Sequence, residues 1–263
     1  MNKLPQIKMN KQWDLVALSI MFLLAFTISW KIEANMFVST LLFFGTTSYY
    51  LSLRRKDLVK KTLKFALLFA FPLGALVDLI ASVNRAWYVT NTMFPLRIYQ
   101  TIPIEDLIWA FLVIYLVVIF YEHIFDTQVN SINNRWKPFL TSVFIILIIT
   151  TIIYYLKEEL LEIPYAYMTI GLIGIMFPII IFMVNFRKFF KPFLLTSAYF
   201  FVPFALFVAL GLELSQWIYI DGEYIKVLII WGHNFPAEVL IYWFILLSVA
   251  ILTYYEYLFD DTN

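Results

Sequence analysis

Long apolar stretches alternate with short polar segments along the whole chain. They fall at roughly residues 13–31, 34–53, 63–82, 103–125, 138–156, 164–186, 191–217 and 236–259. Each is near or above the ~17–20 residues that cross a bilayer as a helix. None alternates in polarity as a barrel strand would, and lipid offers backbone groups no other partner, so the pattern predicts helices. The first stretch begins at Trp13, behind Lys3, Lys8 and Lys11. It is too long for a signal-peptide core and no small-residue cleavage site follows, so it reads as an anchor. The expected fold class is all-α: a polytopic membrane protein with about eight transmembrane helices.

Composition agrees. Of 263 residues 62% are hydrophobic and 20% aromatic, 14% carry charge, and the mean hydropathy is +0.82; a water-soluble domain could not hide that surface. A net charge of +1 argues against a nucleic-acid partner. The absence of Cys removes a disulfide framework or zinc ribbon, and with two His no metal centre or cofactor is expected. Placing the N-terminus in the cytoplasm puts 14 basic residues on that side, among them Arg54, Arg55, Lys60, Lys61, Arg135 and Arg187, against 5 on the other. The positive-inside rule therefore predicts a multi-pass cell-membrane protein with both termini cytoplasmic and the loops at about 83–102 and 218–235 outside.

An internal repeat is visible. Pro103, Glu105, Leu107, Ile108 and Phe111 recur as Pro236, Glu238, Leu240, Ile241 and Phe244, at an offset of 133. Tyr121, Glu122, Phe125 and Asp126 recur as Tyr255, Glu256, Phe259 and Asp260, and Trp87 matches Trp217. Residues 1–130 and 131–263 are thus expected to be two four-helix copies. An even number of spans makes the repeat parallel, with its axis along the membrane normal.

Pro103 and Glu105 satisfy ordinary helix grammar: proline at the first helical position, an acid in the first turn. Three features suggest more. The acid recurs, beside aromatic residues Trp109, Phe111, Tyr242, Trp243 and Phe244, and further acids, Asp78 and Glu213, lie late in the preceding helices, where a carboxylate is costly without a function or partner. Either could instead pair with Arg85 or Arg97. His233 could relay a proton to Glu238 or be a wetted loop residue. The acidic ends at Glu122 and Asp260 have a sufficient explanation in orphan carbonyls and nearby basic residues.

Missing motifs narrow the chemistry. There is no mid-span Lys, no pair of Asp-rich magnesium motifs, no phosphate loop and no Gly-x-Ser-x-Gly elbow. What remains is carboxylic acids among aromatic walls in an apolar medium. A carboxyl removed from water favours its neutral form and can act as a general acid. An alkene that takes its proton becomes a carbocation, which aromatic faces stabilise, and a second carboxylate can end the reaction. Cyclisation or isomerisation of a membrane-dissolved polyene needs nothing else.

The run Asp78, Trp87, Tyr88, Pro103, Glu105, Asp106, Tyr115, Tyr121 and Glu122 resembles the lycopene cyclase domain of the heterodimeric type, which also occurs as a fused tandem repeat. The resemblance implies a carotenoid cyclase of the isomerase or intramolecular-lyase type, acting without cofactor on a hydrophobic polyene, in the bilayer alongside other carotenoid-pathway enzymes. It implies that Glu105 is the proton donor, Asp106 its partner or the deprotonating base, and Glu238 the counterpart acid in the second copy. There Val239 replaces the second acid. Adjacent residues on a helix point about 100° apart, so one of Glu105 and Asp106 should enter the cavity directly. Trp87, Trp109, Trp217, Tyr242 and Trp243, with Asp78 and Glu213, are the expected substrate-binding residues, lining an apolar cleft between the copies. A non-catalytic isoprenoid carrier would use the same cleft, and a cyclase of another terpenoid or a small-solute transporter remains open.

Overall fold

A computed structural model describes residues 11–126, 131–220, 223–230 and 232–260; Lys3, Lys8 and both termini lie outside them. Among the described residues, eight helices are long and apolar enough to cross a membrane: α1 Lys11–Lys31, α2 Met36–Arg54, α3 Val59–Val83, α4 Ile104–Ile124, α5 Trp136–Leu161, α6 Ala166–Asn185, α7 Arg187–Glu213 and α8 Ala237–Phe259. The protein is an all-α polytopic membrane protein. The predicted spans hold to within a few residues, and the differences have local causes. Lys11 belongs to α1, and its ammonium donates to the carbonyl of Ile124 at 2.8 Å. α3 starts earlier because the basic turn that carries Lys60, Lys61 and Lys64 is already helical. α7 stops at Glu213 because Ser215 adopts a left-handed conformation, φ 50°, which ends a helix.

Helices α4 and α8 are the most enclosed, and α5 and α6 face outward along most of their length. α3 packs along α4 and α7 along α8. Pro72 lies inside α3 and Pro203 inside α7. π-helical turns interrupt α2, α6 and α8; such insertions rotate the residues beyond them and gather at functional sites.

The end of the bundle opposite the basic segments carries the two long loops. Each contains a short hairpin: β2 (Arg97–Ile98) with β3 (Ile102–Pro103), and β5 (Val227–Ile230) with β6 (His233–Pro236). Each hairpin delivers a proline to the start of a helix. Pro103 and Pro236 sit at the N-cap itself, with extended ψ of 147° and 131°, one position before the expected one, because each closes its β-strand. The loops also pair with each other. β1 (Tyr88–Val89) runs antiparallel to β4 (Trp217–Ile218), with Tyr88 opposite Ile218. The Gln216 amide pins this junction to the carbonyl of Ala34 (2.6 Å) and the hydroxyl of Ser39 (2.8 Å). The Trp217 indole lies directly on Gly211. Gly211→Ala would drive a methyl into that ring, and overpacking of this kind costs about 1–3 kcal/mol. A lowered Tm in detergent, with Trp217 fluorescence shifted toward that of an exposed indole, is expected.

Candidate active site

A cavity of about 290 Å³ lies among α3, α4, α6, α7 and α8, beneath the loops. Its wall is aromatic and aliphatic. Trp87, Trp109, Trp217, Tyr242 and Trp243 all line it, so the structure brings together the five rings singled out in the sequence. Three of them touch one another: Trp109 and Trp243 centroids are 4.7 Å apart and Trp87 and Trp243 6.3 Å; Tyr167 links Trp87 (5.6 Å) to Tyr242 (6.4 Å), and Trp217 packs on Phe207 (5.4 Å).

Two carboxyls reach this space, Asp78 from α3 and Asp106 from the first turn of α4. They lie close enough for their charges to interact, and the Arg97 guanidinium is within electrostatic reach of Asp106. Among the described residues neither aspartate accepts a hydrogen bond. Arg97 donates to the carbonyls of Thr101 (2.8 Å) and Val89 (2.8 Å) and lies over the Tyr88 ring, which holds it in the loop.

Glu105 is placed differently. It is fully buried but outside the cavity wall, and its Oε1 accepts the backbone N–H groups of Met93 (2.7 Å) and Phe94 (2.8 Å). Glu238 repeats the arrangement: its Oε1 accepts the N–H of Ile225. Both motif glutamates therefore tie an overlying loop to the start of a helix. Asp106, about 100° further round the helix, is the motif acid that enters the cavity. Glu105→Gln keeps an acceptor oxygen for both N–H groups, whereas Glu105→Ala leaves two donors unpaired at about 1–3 kcal/mol each. The expected result is faster protease cleavage in the 84–102 loop for Glu105→Ala than for Glu105→Gln.

Glu213 does not join the site. It is 58% exposed, pairs with His233 at 3.3 Å, and lines an open cleft with Trp30, Lys31 and Glu33. The early end of α7 leaves it there, so the expected burial does not occur. His233, occupied by Glu213, makes no bond to Glu238.

A second set of buried polar residues closes the basic end. Lys61 of α3 lies 2.5 Å from Asp260 and 3.4 Å from Glu122, and the Tyr255 hydroxyl donates to Glu122. Tyr121 in turn bonds Glu256. Beside them Asp14 of α1, 1% exposed, meets His123 at 2.8 Å, Arg54 at 3.0 Å and the Tyr50 hydroxyl at 2.5 Å. Asp14 carries no sequence signal: it is an ordinary acid in the first turn of a helix, and its partners come from α2 and α4.

The fold and cavity define a class: a polytopic helical membrane protein that encloses an apolar, aromatic-walled chamber with two aspartates. Residues 34–124 match the family model described as Lycopene cyclase, so this segment is similar to a lycopene cyclase domain. It spans α2, α3 and α4 and so contains Asp78, Trp87, Glu105, Asp106 and Trp109. No curated protein and no solved structure matches the chain. That match supports a carotenoid cyclase in general.

Proposed function

We propose that the protein is a membrane-embedded cyclase that closes a ring at the end of a linear, lycopene-type polyene by proton transfer alone. The observation that carries this reading is the pair Asp78 and Asp106, unbonded carboxyls in an otherwise apolar chamber of aromatic rings. In the protonated state one aspartate gives its proton to the terminal alkene. The internal double bond then attacks the resulting cation, forming the ring bond. The other aspartate, ionised, takes a proton from the carbon next to the new cation and restores a double bond. One proton enters and one leaves, so the product is an isomer of the substrate. The tryptophan faces stabilise the cation without capturing it, by about 0.5–2 kcal/mol each. Glu105 and Glu238 hold the loops over the chamber and exclude water, which would otherwise quench the cation.

The reading includes two parallel four-span copies, residues 1–130 and 131–263, related by an axis along the membrane normal. Support comes from the pairing of Tyr88 with Ile218, its counterpart at the tryptophan offset, and from the reciprocal bonds Tyr255–Glu122 and Tyr121–Glu256. A two-fold axis generates such self-complementary contacts. The excess of basic residues at the end opposite the loops supports cytoplasmic termini and loops outside.

Expression in lycopene-accumulating cells, with pigments separated by chromatography, tests the reading. Mono- or bicyclic carotenoids are expected. Unchanged lycopene, with the protein verified in the membrane, would count against cyclisation and in favour of an isoprenoid carrier.

A further inference from the structure

The chamber is too small for the whole of a long polyene. Its volume of about 290 Å³ is at the lower limit of pockets that enclose a drug-sized molecule, and a lycopene-type chain extends far beyond the end that forms a ring. The remainder of the chain has to leave through a wall. The loops cover one end of the bundle and the charged network around Lys61 closes the other, so an apolar chain leaves sideways. Of the helices around the chamber, α6 is the least covered by its neighbours. Tyr167, Ile170, Gly171, Gly174 and Ile175, spaced by three and four residues, line the chamber from one face of α6. Ile173, Phe177 and Ile181 are exposed to the bilayer. A single helix thus separates the chamber from lipid.

Glycine at 74, 171 and 211 is explained by packing: an added methyl would press on Leu107, on the Tyr242 ring and on the Trp217 ring. Gly174 has no such reason. A methyl there would meet no neighbouring atom within 4 Å, and its φ is outside the left-handed region. Glycine weakens a helix relative to alanine, so at this position it leaves a space open. The backbone around that space is fixed. Gly174 lies in the π-helical turn Leu172–Met176, and its carbonyl accepts the hydroxyl of Tyr254, another chamber residue, at 2.8 Å. α3 packs on Ala166–Gly171, before this turn, and the turn itself packs on α8. We infer that the polyene passes from the chamber into the bilayer at Gly174, and that the size of this residue sets the length of chain the protein accepts. A larger side chain here obstructs a molecule that runs past α6 and leaves room for one that lies wholly inside. The inference rests on the proposed function for the nature of the ligand; the place of passage follows from α6 and Gly174.

The test is equilibrium binding to the full chain in phospholipid nanodiscs, read as a saturable change in tryptophan emission and corrected with empty nanodiscs. The probes are lycopene and a linear conjugated polyene no longer than one ring-forming end group. Gly174→Phe should bind lycopene about tenfold more weakly, as overpacking in a fixed wall predicts, and should bind the short polyene as the unaltered protein does. Ile173→Phe, which enlarges the neighbouring residue on the lipid face, should bind both normally. Should Gly174→Phe fail to fold, a polyene with a photoreactive diazirine midway along its chain decides on the unaltered protein, where it should label α6 between Ile170 and Ile175. Unchanged lycopene binding in Gly174→Phe, an equal loss for both probes, the same loss in Ile173→Phe, no saturable binding of either probe, or label on α7 or the loops in place of α6 would overturn the inference. A protein that shows this dependence on length yet makes no ring from any polyene keeps the passage and loses the cyclase reading. One that cyclises lycopene equally well as Gly174→Phe keeps cyclisation and loses the passage.

Discussion

Asp106→Asn should abolish ring formation and leave the protein folded in the membrane. The substitution preserves shape and removes the one motif carboxyl that enters the chamber. An amide can neither give nor take the proton, and loss of a general acid or base typically costs about 10²–10⁴ in rate. Asp78→Asn should fall in the same range, because the cycle needs one carboxyl to donate and one to accept. Glu105→Gln is the informative control. Its oxygen still holds Met93 and Phe94, so turnover should stay within a few-fold of the unaltered protein. Pigment yields normalised to protein in the membrane separate the alternatives. Full activity in Asp106→Asn with none in Glu105→Gln would return the proton donor to Glu105.

Lys61→Met should be the most destabilising single substitution at the basic end. Lys61 is the cation between Glu122 and Asp260, both almost wholly buried. Asp126 and Glu256 place their carboxylate oxygens within 4.8 Å of that of Asp260, so the ammonium offsets repulsion as well as desolvation. Removing one partner of a buried ion pair costs about 3–5 kcal/mol, because a charge is left without compensation. The expected readout is a large fall in Tm in detergent. Adding Glu122→Gln and Asp260→Asn to Lys61→Met should recover much of it, since neutral amides need no counter-charge. If the triple variant is no better than the single one, the stability of this end comes from packing of the aromatic side chains instead.

Much of the architecture is legible in the sequence because lipid imposes it. A helix that crosses a bilayer must be apolar over about 20 residues and must satisfy its own backbone, so hydropathy alone marks eight spans and their order. The aromatic wall was visible for a related reason: Trp87, Trp109, Trp217, Tyr242 and Trp243 all stand near the loop ends of their helices, flanking the motif acids.

Tertiary structure alone decided which polar groups meet. Glu105 and Asp106 are adjacent and chemically alike, and only the rotation of α4 turns one toward the loop backbone and the other into the chamber. Asp78 meets Asp106, which comes from a neighbouring helix, only in the folded chain. Glu213, similarly late in α7, is left outside by the left-handed turn at Ser215. Asp14 gave no signal because its significance lies wholly in partners from other helices. Bilayer thickness and backbone hydrogen bonding act along the chain and leave a mark in hydropathy. The pairing of buried polar groups depends on helix rotation and on distances between remote segments, which a single sequence does not encode in readable form.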